Sequence, residues 1–169
     1  MDIFKPTFMV RRLSDINADM FRKLNVRCLL LDVDNTLASY ISHEPVDGAI
    51  QWVKEMQQQG FKLVIVSNNY KKRVEPFSKK FDLPFITFAC KPLPFGYLKA
   101  KKLLNAPAAA CAIIGDQIYT DIVGANLCGM KSVLLEPVEA ETAPLFKLRR
   151  RQEKKLRDKY SQTDKQKGK

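Results

Sequence analysis

The stretch Leu29-Leu30-Leu31-Asp32-Val33-Asp34-Asn35-Thr36 constrains the fold more than any other part of this chain. Three successive leucines leave no polar face, so a strand made of them is covered on both sides. In an extended chain residues i and i+2 point the same way. If the chain stays extended past Leu31, Asp32 and Asp34 are aimed together from the C-terminal end of a buried strand. Two carboxylates that close resist ionising together, which makes sense where a cation or a phosphate needs them.

The rest of the chain supplies partners for such a strand. Further apolar runs rich in Val, Ile and Leu fall at 62–66, 85–88, 111–114 and 132–135, with the first spanning 26–31. Helical patterns separate them. The spacing predicts helices over 47–59, with Asp47 as N-cap and Gly60 just past the end, and over 70–80, interrupted at Pro76. Two more are expected at 94–105, with proline in the first turn, and at 118–128. Continuous apolar strands alternating with helices specify a single three-layer α/β domain built on a Rossmann-like parallel sheet. At 169 residues the chain is long enough for one real core.

In an open parallel sheet, ligands bind beyond the carboxyl ends of the strands. Four such ends carry polar chemistry here. The first has Asp32, Asp34 and Thr36, and the second has Ser67-Asn68-Asn69, whose hydroxyl, amides and backbone N–H groups suit a phosphate oxygen. After the third comes Lys91 before Pro92, and after the fourth the turn Gly115-Asp116 leads through Tyr119-Thr120 to Asp121. Hard oxygens in small number suit Mg2+ completed by water and substrate phosphate. On that chemistry Asp32 is the nucleophile and Asp34 the general acid and base. Lys91 offsets the charge of the phosphate, while Asp116 and Asp121 hold the metal. Thr36, Ser67, Asn68 and Lys91 are the candidates for binding the phosphate.

Taken in order, these four segments resemble the four motifs of the haloacid dehalogenase (HAD) superfamily, with Asp32 to Thr36 matching the DxDxT of its phosphatase branch. The resemblance spans residues 24–136. It implies a strand order of 3-2-1-4-5, Mg2+ dependence, and a metal held by the Asp32 side chain, the Asp34 backbone carbonyl and Asp116. The gaps from Thr36 to Ser67 and from Ser67 to Lys91 each have room for one helix and one strand, which leaves no space for a cap domain. This is similar to the capless subclass IIIA, and within it to the YqeG-type proteins and the phosphatidylglycerophosphate phosphatases. An open site fits a phosphorylated substrate that is large or presented on a surface.

Net charge is +11, and the excess sits entirely at the ends. Residues 1–30 have six Lys/Arg against three Asp/Glu, residues 147–169 have eleven against three, and the middle is neutral with twelve of each. The expected organisation is an N-terminal arm or helix at 1–23, a HAD-like catalytic domain at 24–146 and a basic helix or tail at 147–169. Basic ends attract an anionic membrane surface or nucleic acid, or serve as a solubilising tail. The competing functional reading is a basic protein that binds RNA or a ribosome-assembly partner, its phosphatase site idle. Against it, the four motifs are complete and the tail lacks the aromatics that stack on bases. Plain attraction of Arg149, Arg150 and Arg151 to a phosphate backbone needs none. The segment from Phe4 to Arg12 pairs aromatics with basic residues and suits either an anionic bilayer or a docked arm on the sheet edge.

No run of about 20 apolar residues argues for a spanning helix, and Asp2, Lys5, Arg11 and Arg12 break any leader-like stretch. Cys28, Cys90, Cys111 and Cys128 are widely spaced without a CxxC pair. They read as reduced thiols of a cytoplasmic protein, with peripheral attachment to a membrane as the variant its basic ends suggest. Trp52 is expected in the core, and His43, the sole histidine, in an exposed loop.

Overall fold

The apolar runs form one six-stranded, all-parallel sheet. Its strands are β1 (Phe8–Val10), β2 (Cys28–Leu31), β3 (Lys62–Val66), β4 (Phe85–Ile86), β5 (Cys111–Gly115) and β6 (Lys131–Leu135), in the spatial order β1-β6-β5-β2-β3-β4. Strands β2 to β6 follow the expected 3-2-1-4-5 order. The N-terminal arm docks on the sheet edge, one of its two expected placements, and does so as a strand that was not expected: β1 pairs Phe8 to Val10 with Val133 to Leu135. The structure is a computed structural model describing residues 2–41, 44–139 and 144–167, side chains excepted at 144–146 and 162–167; His43 lies outside the described residues.

Strand periodicity divides the core between two faces. Leu29 and Leu31 of β2 pack with Phe21 of α1 (Ala18–Arg22), with Trp52, Val53 and Met56 of α2 (Ala49–Gln58) and with Val74, Phe77 and Phe81 of α3 (Lys71–Phe81). Cys28 and Leu30 face Tyr97, Ala100 and Leu104, all from the helix Phe95–Leu104 on the opposite side. Trp52 is buried, and its indole N–H donates to the Ile16 carbonyl at 2.9 Å. All four cysteines are free thiols. Among the described residues no helix is long and apolar enough to cross a membrane. Nor does any described segment between Thr36 and Ser67, or between Ser67 and Lys91, build a cap.

Local differences from the expected pattern have physical causes. The N-cap of α2 is Gly48, not Asp47: the chain turns there at φ +78°, a left-handed value that glycine adopts without strain. α3 runs through Pro76 without a break. The lost backbone bond falls at the level of the exposed Lys72, while Val74, Phe77 and Phe81 anchor the opposite face. The strand expected at 85–88 stops at Ile86, because Phe88 turns to φ +48° and its N–H bonds the Asn69 carbonyl at 3.0 Å.

The two basic ends of the chain meet. The C-terminal helix Pro144–Lys167 buries Tyr160, whose hydroxyl donates to Asp2 Oδ2 at 2.8 Å beside Lys159 at 3.6 Å. Leu156 of the same helix packs with Phe4, Met9 and Leu134 around Ile118 and Ile122. The Tyr160 bond lowers the Asp2 carboxyl below its ordinary 3.8. Burial, followed by the bond to Asp2, pushes the Tyr160 phenol from 10.0 up to about 12. The Asp2 contribution to stability is therefore present above pH 3.8 and lost as pH falls through the lowered value. The Tyr160 contribution is complete below pH 10 and lost as pH rises towards about 12. Tyr160→Phe is expected to flatten the alkaline limb of a thermal-stability profile over that window; an unchanged limb would contradict the coupling.

Candidate active site

Each polar side chain at the sheet's C-terminal edge is placed by a local backbone feature. Asp32 continues the β2 ladder by one residue, its N–H bonding the Ile114 carbonyl at 3.0 Å, so its side chain leaves from the strand end. Lys91 follows a loop in which Phe88 and Cys90 both take positive φ. The Asn68 side chain clamps this loop, its Oδ1 accepting from Lys91 N at 2.7 Å and its Nδ2 donating to Lys91 O at 3.0 Å. Asp121 sits on a one-turn π-helix, Ile118–Ile122, that leads into the helix Val123–Leu127. The buried Tyr97 hydroxyl donates to the carbonyls of Thr120 at 2.8 Å and Asp121 at 3.2 Å, holding that turn against the sheet.

These placements bring together three buried carboxylates and one buried cation. Lys91 Nζ donates to Asp32 Oδ1 at 2.5 Å and to Asp121 Oδ1 at 2.7 Å. Asp32, Asp116 and Asp121 each offer an oxygen, and these oxygens lie within 4.8 Å of one another. Burial pushes the Asp32 carboxyl well above the usual range. Lys91 opposes this, and the neighbouring Asp121 and Asp116 add to it. Burial alone would discharge Lys91, but Asp121 and Asp32 outweigh it and hold the ammonium. Oxygen donors only, converging and short of positive charge, fit a hard divalent cation; no soft ligand intrudes.

Gly115 makes this convergence possible. A Cβ there would lie 2.4 Å from Asp121 Cγ and Oδ2. Gly115→Ala is expected to displace Asp121, weaken divalent-ion binding and cost roughly 1–3 kcal/mol in stability through overpacking. Metal titration with a parallel thermal melt checks this; wild-type values for both would refute it.

The remaining expected residues flank the trio. The Asp34 side chain is not one of the trio: it accepts from Asn69 Nδ2 at 2.5 Å and is paired with the Arg73 guanidinium. Ser67 is buried, its hydroxyl accepting from Asn69 N at 3.1 Å. The Thr36 hydroxyl is buried with no hydrogen-bond partner among the described residues. Asn68 directs its amide to the Lys91 backbone, so the side chain positions the lysine loop.

Sequence reasoning missed the cations that hold the carboxylates from outside. Arg73 lies in the first turn of α3. Arg150, from the run Arg149-Arg150-Arg151, is turned inward: Nη1 donates to the Asp116 carbonyl at 2.9 Å and to Glu153 Oε2 at 3.0 Å, and Nη2 pairs with Asp116 Oδ2. Arg157 donates to the carbonyls of Leu135 at 2.9 Å and Asp116 at 2.5 Å. Glu153 is fully buried and accepts from the N–H groups of Ile118 at 2.9 Å and Tyr119 at 3.3 Å. The spacing of Arg150, Glu153 and Arg157, at i, i+3 and i+7, was the available signal.

A lysine-bridged acidic trio at the C-terminal edge of a parallel sheet defines an α/β enzyme of the Rossmann-like class. The sequence profile of the haloacid dehalogenase-like hydrolases matches residues 22–129. The chain is 31% identical over 153 residues to the probable phosphatase YqeG of Bacillus subtilis, covering 90% of this chain and 89% of that one. It therefore belongs to the haloacid dehalogenase-like hydrolases. A second relative, glyceraldehyde 3-phosphate phosphatase of Pyrococcus abyssi, is 27% identical over 108 residues, which span 59% of this chain and 44% of that protein. The magnesium-bound HAD-hydrolase YfnB of Bacillus subtilis shares the fold, with a TM-score of 0.59 at 16% identity over 70% of this chain and 90% of that one. A HAD family hydrolase of Deinococcus radiodurans does so too, at 0.59 and 15%, over 75% and 88%.

Proposed function

We propose that this hydrolase is a Mg2+-dependent phosphomonoesterase that works through an aspartyl-phosphate at Asp32. The observation carrying the proposal is Lys91, buried and bridging Asp32 to Asp121 next to Asp116. Asp32, Asp116 and Asp121, with the Asp34 backbone carbonyl, would hold the ion, which supplies charge neutralisation at the phosphate. A carboxylate oxygen of Asp32 attacks phosphorus as the ester P–O bond breaks, and Lys91 lowers the repulsion between the two anions. Asp34 gives its proton to the departing alkoxide. It then takes one from a water that attacks the same phosphorus, releasing orthophosphate and restoring Asp32. Asn69 and Arg73 orient the Asp34 carboxylate, the form that takes the proton from water, and the acid step uses its protonated form. The buried Thr36 and Ser67 hydroxyls and the backbone N–H groups after Ser67 bind the phosphate oxygens.

The open edge supports a substrate presented on a surface. Tyr70, Phe88 and Leu93 are large, exposed and carried by the loops after the strands, Phe95 is exposed at the start of the next helix, and the exposed Lys71 and Lys72 directly follow Tyr70. Apolar side chains next to cations match a phosphorylated head group at a lipid interface, and phosphatidylglycerophosphate is the substrate this reading favours. The test compares phosphate release from p-nitrophenyl phosphate, soluble glycerol phosphates and phosphatidylglycerophosphate vesicles, with and without chelator. Mg2+-dependent turnover with the highest kcat/KM on vesicles is expected. Absence of metal-dependent hydrolysis of every ester would overturn the activity, and a preference for soluble esters would overturn the substrate.

A further inference from the structure

We propose that the C-terminal helix is the outer support of the metal site, with Arg150 and Glu153 as positioning residues for the ligand Asp116. This inference rests on the metal-dependent reading above and adds to it two residues beyond the family's four motifs. One observation and two general properties of carboxylates carry it. Arg150 grips Asp116 twice, through the side-chain Oδ2 and the backbone carbonyl, which fixes both the rotamer and the turn that presents it. A carboxylate has two oxygens, so a donor on Oδ2 orients the group without using the other. Carboxylates that ligate metals are in turn held by hydrogen bonds, and loss of such a partner weakens metal binding by about 10–100-fold.

Glu153 eases the electrostatic problem this arrangement creates. The guanidiniums of Arg150 and Arg157 beside a divalent cation would repel it; Glu153, 3.0 Å from Arg150, offsets part of that charge while Arg150 directs Asp116. Glu153 is fully buried and also accepts the N–H groups of Ile118 and Tyr119 at the start of the π-turn bearing Asp121. One carboxylate thus ties together the arginine behind Asp116 and the segment behind Asp121. Leu156 and Tyr160 pin the helix to the N-terminal strand, so the support is a packed layer.

The experiment measures divalent-ion binding directly, by Mn2+ electron paramagnetic resonance titration without substrate, on the full chain. Arg150→Met and Glu153→Gln are expected to weaken Mn2+ binding by about 10–100-fold. Arg150→Lys, which keeps the charge but not the fork, should recover only part of the loss. The ion concentration for half-maximal phosphatase activity should rise in the same order, and thermal melts and circular dichroism report whether each variant is folded. Should Glu153→Gln fail to fold, Arg150→Met, on the less buried side of the contact, still decides. Unchanged Mn2+ affinity in Arg150→Met would overturn the inference, as would tighter binding, which would mean that the arginine competes with the ion. If the wild-type chain itself binds no Mn2+, the failure lies with the metal-dependent reading of the site.

Discussion

Replacing Asp32 with asparagine should lower p-nitrophenyl phosphate turnover by about 10^3-fold or more while leaving the fold intact. Asparagine keeps the shape of the side chain and an oxygen that Lys91 can donate to, so the contact at Asp32 Oδ1 survives in geometry. What disappears is the second carboxylate oxygen and the charge, without which no acyl phosphate forms. Circular dichroism and a melting curve like those of the unmodified protein, with hydrolysis near background, are the expected pair of results. A residual rate within about tenfold of wild type would remove Asp32 from the reaction.

Lys91→Met should have the second largest effect, and on two quantities at once. The ammonium is the bridge between Asp32 and Asp121, both buried. Removing one partner of a buried ionic cluster leaves uncompensated charge and costs about 3–5 kcal/mol. Turnover should fall about 10^2–10^3-fold, the scale for losing one group that stabilises charge in the transition state. Because the remaining carboxylates repel one another, added Mg2+ should raise the melting temperature of this variant more than that of the unmodified chain. Calorimetry over a Mg2+ series checks this. Equal shifts in both proteins would show that the lysine does not balance the acidic trio.

The centre of the sheet was legible because its strands are apolar on both faces, as in Leu29-Leu30-Leu31 and Cys111 to Ile114. The reactive edge was legible because Asp32, Lys91, Asp116 and Asp121 each follow such a run within a few residues. The sixth strand was not: Phe8 to Val10 is three residues long, and Arg11 and Arg12 beside it read as part of a surface arm. The inward side of the last helix was hidden for a related reason. Arg150, Glu153 and Arg157 lie in a stretch where most neighbours are charged, and a cation that pairs with a buried carboxylate looks in one dimension like one that faces water. Only their spacing, together with the apolar Leu156 and Tyr160 nearby, separates the two cases. Asn68 shows the opposite limit. Its position after a strand identified it, but which of its neighbours the amide would serve depended on a loop with two positive-φ residues.

The joining of Asp116 to Arg150 has a consequence for how the molecule comes into being. During synthesis β1 to β5 and the acidic turn leave the ribosome, and β6 follows, before the helix that carries the counter-charges exists. A nascent intermediate therefore has Asp116 without the guanidinium that holds it, and docking of the helix is a late step in assembling the site. Any fusion, nick or frameshift beyond Leu135 strikes at that late step, far along the chain from the aspartate it would disarm.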